Sequence, residues 1–173
     1  MRILTFGLIA PLLAGCASIP MQQADTLAQA NLSSPTGTPL GTARLVSDGS
    51  TLSVALAVSN LEPGEHGFHL HTTGRCEAPD FSSAGGHLNP TGNEHGRLNP
   101  QGSHLGDLPN LVVGAARTAS LEADLGADTP ARRAALFDTD GTAVIIHAGP
   151  DDYRSDPAGN AGARIACGVL TRN

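Results

Sequence analysis

Twenty-one glycines and twelve prolines are spread along 173 residues, and this punctuation limits what the chain can become more than any other feature. Glycine weakens the interiors of helices and strands, and proline cannot continue a helix, so the pattern favours short strands joined by turns. Between the breaks, apolar residues recur at every second position. Leu40 to Val46 and Thr51 to Val58 alternate on either side of Asp48-Gly49, a hairpin signal. Leu27 to Leu32, Phe68 to His71, Leu111 to Leu125 and Ala163 to Leu170 read as further strands. Leu136 to Asp138 and Thr142 to His147 flank a second turn at Asp140-Gly141. No stretch makes a convincing helix, so the expectation is an all-β, antiparallel sandwich or barrel of about eight strands. Residues 74–110 and 148–162 escape the alternation. Loops of that length inside a compact domain usually carry function.

Composition narrows the classes. An apolar share of 40% can build the core of one domain. The ten basic residues are all Arg, set against sixteen acids for a net charge of −6. That balance argues against a nucleic-acid partner. The N-terminus stands apart: Met1-Arg2 precedes an apolar run, Ile3 to Leu13, too short to span a bilayer and read as a secretory signal. The run ends in Leu13-Ala14-Gly15-Cys16, which resembles the lipobox of bacterial lipoprotein signals. The expectation is a signal over 1–15, a lipidated Cys16 opening a polar tether over 16–26, and a domain over 27–173. An ordinary signal peptide cut nearby is the alternative. By the same resemblance, Ala17 favours the outer membrane. Export would put Cys76 and Cys167 in an oxidising compartment as an even pair. A disulfide between them would close a loop of about 90 residues, worth about 4–5 kcal/mol in the chain-entropy model. Two buried thiols or soft metal ligands are the other reading.

The chemistry concentrates in the histidines. His69 and His71, one residue apart in an extended segment, point both rings to one face. H-x-H alone is as often structural as functional. His87, His95, His104 and Asp107 share one glycine-rich loop, and three imidazoles with one carboxylate make a closed set that suits zinc. The bland alternative is a solvated polar loop. A loop so hydrophilic, however, would not order itself without an added crosslink. His147 ends an apolar strand at the mouth of the second loop and on its own decides nothing.

Four segments then agree with one family. Gly67-Phe68-His69-Leu70-His71, Ala84-Gly85-Gly86-His87-Leu88-Asn89-Pro90, His104-Leu105-Gly106-Asp107-Leu108 and Gly159 to Gly168 closely resemble the copper,zinc superoxide dismutases in their bacterial exported form. The resemblance runs from about Leu27 to the C-terminus. It implies an eight-stranded antiparallel Greek-key β-barrel with two long functional loops. The implied activity is dismutation of superoxide to dioxygen and hydrogen peroxide by a copper centre cycling between Cu(II) and Cu(I), with zinc as structural and electrostatic partner. Carried over by residue, it implies copper on His69, His71, His87 and His147. Zinc falls to His87, His95, His104 and Asp107, with His87 shared. Arg164 becomes the active-site arginine and Asp151 the carboxylate linking a copper histidine to a zinc histidine. Cys76 and Cys167 become the family disulfide, and His66 a structural histidine outside the ligand set.

Superoxide is thus the expected substrate. Membrane contact is expected only through Cys16, in the periplasm, and a homodimer is left as an option. Family members usually guide the anion with Lys around the channel, and this chain has none. Arg154, or Arg97, is the expected substitute. Two other classes fit the residues less well. Non-catalytic relatives of the same fold usually lack a ligand or the arginine, and here every such position is filled. A cupin-like barrel also uses H-x-H on a strand, but holds one metal with a nearby Glu.

Overall fold

The computed structural model describes residues 24–173. The expected signal and Cys16 lie outside those residues. The tether falls mostly outside too, but its last residues, Asp25 and Thr26, belong to the first strand.

Ten strands follow in order: β1 (Asp25–Ser33), β2 (Pro39–Ser47), β3 (Thr51–Ser59), β4 (Gly64–His66), β5 (Phe68–His71), β6 (Leu111–Val113), β7 (Thr118–Ala127), β8 (Ala143–His147), β9 (Arg164–Val169) and β10 (Thr171–Arg172). Eight of them make one antiparallel sheet in the order β5-β8-β9-β1-β2-β3-β7, with β10 on β1; β4 and β6 pair separately. The sheet curls on itself, and the expected all-β antiparallel architecture is what forms. Alternation is the cause. Along β3, Leu52, Val54, Leu56 and Val58 turn inward. They meet Ala28, Ala30 and Leu32 of β1, Ala43 and Leu45 of β2, and Ala123 and Leu125 of β7 in one core.

Three local expectations are corrected. Leu111 to Leu125 is two strands, broken at a turn in which Arg117 takes a positive φ of 62°. The short β4 and β10 carry too few residues for periodicity to reveal them. The third concerns helix: Leu136 ends a helix, α1 (Pro130–Leu136), and is not part of a strand. Thr129 accepts the backbone N–H of Arg132 at 3.2 Å, and Pro130 occupies the first turn where its missing N–H costs nothing.

Strand β8 is buried along its whole length. Val144 and Ile146 face the main core, whereas Ala143 and Ile145 face outward into a smaller cluster with Phe81, Ala84 and Cys167. That second cluster lies under the loop between β5 and β6. It creates a covered space on the outside of the sheet.

Candidate metal centre

Strand β5 places its residues by the same alternation. Phe68 and Leu70 enter the main core, which sends His69 and His71 to the outer, loop-covered side. His69 pairs with Ile145 across β5 and β8, which puts the two on the same face. The long loop returns along β5 and bridges it twice, His71 with His87 and His69 with Asp107. Leu70 N–H donates to the Gly106 carbonyl at 3.0 Å, and Leu88 N–H donates to the Leu70 carbonyl at 2.8 Å. A Cβ at Gly106 would collide with the Leu70 carbonyl, so this approach requires glycine. His147, the last residue of β8, lies opposite Arg164, the first of β9.

Two groups of side chains result. His69, His71, His87 and His147 form one; His87, His95, His104 and Asp107 form the other, and within each the ligand atoms lie within 4.8 Å of one another. All seven residues are buried. His87 belongs to both. Its Nδ1 is 2.9 Å from Asp107 Oδ1, while its Nε2 has no hydrogen-bond partner among the described residues. Asp107 Oδ1 also lies 3.0 Å from His95 Nδ1 and 3.1 Å from His104 Nδ1. Its other oxygen accepts the backbone N–H of Gly96 and of His104.

Outer hydrogen bonds fix which nitrogen each ring presents. Carbonyl oxygens only accept, so His71 Nδ1 donates to Gly85 at 3.0 Å and His147 Nδ1 to Gly162 at 2.9 Å. His69 Nε2 donates to Asp151 Oδ2 at 2.9 Å. The lone pairs of His69 Nδ1, His71 Nε2 and His147 Nε2 are left facing inward beside His87 Nε2, and these four buried atoms have no hydrogen-bond partner among the described residues. One such atom costs about 1–3 kcal/mol. Four converging on one point fit a nitrogen-seeking cation, as copper is; the N3O set around Asp107 fits zinc.

Protonation agrees with that role. Burial, the largest cause, pushes His71 down to about 2 and both His87 and His147 down to about 4, with neighbouring imidazoles adding to it. All three are neutral and ligand-ready at neutral pH. For Asp107 and Asp151, burial works to raise the pKa, but the hydrogen bonds they accept outweigh it and hold both below the usual carboxylate range.

Asp151 links the groups: Oδ2 takes His69, and Oδ1 lies 3.0 Å from His95 Nε2. Sequence reasoning did not find what holds Asp151. Asn110 Oδ1 accepts the Asp151 N–H and Asn110 Nδ2 donates to the Asp151 carbonyl, both at 2.9 Å. Tyr153 N–H donates to Asp151 Oδ1 at 2.7 Å, and Asn110 N–H donates to the Tyr153 hydroxyl at 2.6 Å. An Asn after a Pro reads as an ordinary turn residue, so nothing in the sequence marked it.

Arg164 is half-buried. Its Nη1 donates to the Phe81 carbonyl at 2.6 Å and its Nη2 to the Gly85 carbonyl at 2.7 Å, the oxygen that also receives His71. His66 lies between the His147 and Glu62 carbonyls, at 2.8 and 2.9 Å, and is in neither group. Cys76 and Cys167 form a disulfide. Arg154 is exposed and donates to the Leu98 carbonyl at 3.1 Å. Arg97 lies on a separate groove beside His104.

Known proteins resemble this chain in sequence and in fold. The family model described as copper/zinc superoxide dismutase matches residues 40–170. A superoxide dismutase [Cu-Zn] of Aquifex aeolicus is 47% identical over 138 residues, covering 78% of this chain and 81% of the relative. A SOD-like protein from Bacillus subtilis has a solved structure with a TM-score of 0.76 at 40% identity, covering 83% of this chain and 97% of that one. The Cu/Zn superoxide dismutase of Brucella abortus superposes with a TM-score of 0.66 at 29% identity, over 86% of this chain and all of its own.

Proposed function

The chain belongs to the copper/zinc superoxide dismutase family, and on that premise we propose how its own residues divide the work. The reaction takes two superoxide anions and two protons to dioxygen and hydrogen peroxide, with copper and zinc as cofactors. When bound, copper supplies reversible one-electron exchange and zinc a fixed positive charge. Copper would be held by His69, His71, His87 and His147, and zinc by His87, His95, His104 and Asp107. The observation that carries this reading is the convergence of four buried, partnerless ring nitrogens. Arg164 holds the substrate. Two backbone carbonyls fix its guanidinium, and the donors they leave free form a charged fork for a small anion. His87 Nε2 would ligate copper in one half of the cycle and, in the other half, carry the proton that leaves with peroxide; the second proton comes from solvent. Asp151 orients His69 and His95 so that the two sites keep one geometry.

Metal analysis with a superoxide-disappearance assay tests the assignment. The purified protein is expected to carry one copper and one zinc per chain. His147→Ala should lose copper and activity while keeping zinc. A single iron, manganese or nickel, or full copper in that variant, would refute it.

The finer readings extend this. Arg154 guides superoxide, with Arg97 as the second candidate. Loss of the salt dependence of the rate in Arg154→Ala would support it, and an unchanged dependence in both Arg154→Ala and Arg97→Ala would sink it. The chain is exported and anchored in the outer membrane through a lipid on Cys16. The lipobox-like sequence and the Cys76–Cys167 disulfide support this reading. The mass of the mature N-terminus, with Cys16→Ser as control, tests it. A homodimer would bury Leu98 and Val112, which stand 55% and 65% exposed; sedimentation of the purified protein against Val112→Glu tests that option.

A further inference from the structure

The zinc group has a mouth of its own. A groove of about 850 Å3 runs between the long loop and the start of α1, and His104 and Asp107 line its floor. His71, His147 and Arg164, which surround the copper position, do not line it. Exposure follows the same division. The His104 side chain is 7% exposed, against 1% or less for His87, His95 and Asp107. The edge of the zinc group nearest water is therefore His104, reached through this groove.

The walls are charged. Arg97 and Arg132 line the groove, and besides Asp107 its lining holds one other carboxylate, Asp124. Arg132 is anchored, its Nη1 donating to the Ala127 carbonyl at 2.7 Å. The Arg97 guanidinium has no hydrogen-bond or ion-pair partner among the described residues. Two guanidiniums repel a bare hydrated dication. They attract the same ion once carboxylates have overcompensated its charge, and each can take a carboxylate in fork geometry. The volume lies within the range that holds small organic ligands.

We propose that this groove is the route by which zinc enters and leaves, and that Arg97 and Arg132 fit it to a carrier presenting zinc as an anionic carboxylate complex. His104 is the first ligand exchanged. Its ring nitrogen leaves the ion as a carboxylate oxygen takes the place, with no change of oxidation state. Copper exchanges by another path. The inference rests on zinc being held by His87, His95, His104 and Asp107.

The test is the rate of zinc release from the fully loaded protein into an excess of chelator, read by metal analysis of the filtrate. One chelator is an anionic polyaminocarboxylate and the other a neutral pyridyl ligand. Arg97→Glu is expected to slow release to the anionic chelator about tenfold, the low end of what a charged cleft does to an association rate. It should leave the neutral one unchanged. Ala131→Trp, which puts bulk on the groove wall, should slow release to both and leave copper release untouched. The inference is overturned if both variants release zinc at the parent rate. It also fails if copper and zinc release change in parallel, because zinc then leaves by general opening of the loop. A parent protein containing copper but no zinc would overturn the ligand assignment as well, which separates the two failures.

Discussion

Asp151 is the residue on which both metal groups depend, since its two oxygens hold His69 and His95 in their ligating orientations. Asp151→Asn keeps the shape but removes the charge and one acceptor. We expect affinity for copper and zinc to fall together by about 10–100-fold, as for other outer partners of ligating histidines. Competition titration with chelators checks this, and loss confined to one metal would contradict it. The buried histidines set a pH dependence in the metal-free protein. Their ordinary pKa is 6.5, and folding lowers it to about 4 in His87 and His147 and about 2 in His71. Below 6.5 the unfolded chain binds protons that the folded chain refuses, so the unfolded state is stabilised relative to the folded one as pH falls. The urea midpoint of the metal-free form should therefore drop between pH 7 and 4, and a flat profile would refute the burial argument. At this scale the common face of His69 and His71 was legible, because H-x-H in an extended segment fixes which way both rings point, whereas the place of His147 and the sharing of His87 came only from the family resemblance. Asn110 and Tyr153 were not legible, because their work is done by hydrogen bonds between side chains and distant backbone that no residue pattern encodes.

The loop between β5 and β6 is held as an element by close backbone approach to β5. Gly106→Ala would press a methyl group into the Leu70 carbonyl. The loop must retreat, at about 1–3 kcal/mol for an overpacked contact. Because Asp107 is the next residue, zinc content should fall with stability; metal analysis and denaturant melts measure both, and full zinc in a stable variant would contradict it. The seven-residue α1 depends on its cap instead. Thr129→Ala should cost about 0.5–2 kcal/mol in a denaturant melt and leave copper content unchanged. The strands with clean alternation, β2 and β3 above all, could be read because one face must be dry and the other wet. Helix α1 could not. The Thr-Pro pair at its start is a genuine signal, but a run this short has no room to show a helical period, and Leu136 to Asp138 beside a turn imitates a strand.

For the whole molecule, the Cys76–Cys167 disulfide joins the loop over the metal groups to β9. Replacing both cysteines by Ala should cost about 2–5 kcal/mol, read as a shift in the denaturation midpoint. An unshifted midpoint would mean that the loop is tied down elsewhere. The alternating pattern conveyed the sheet but not its curl, nor that the metal groups sit outside the barrel beneath the loop; those follow from β8 being buried on both faces. The Gly85 carbonyl has a wider consequence. One oxygen receives both the guanidinium of Arg164 and the ring N–H of His71. A substitution that shifts this stretch of backbone therefore moves Arg164, the proposed substrate anchor, and His71, the proposed copper ligand, in the same stroke. Selection cannot tune one independently of the other, so changes here are pleiotropic and improvement must come from compensating pairs.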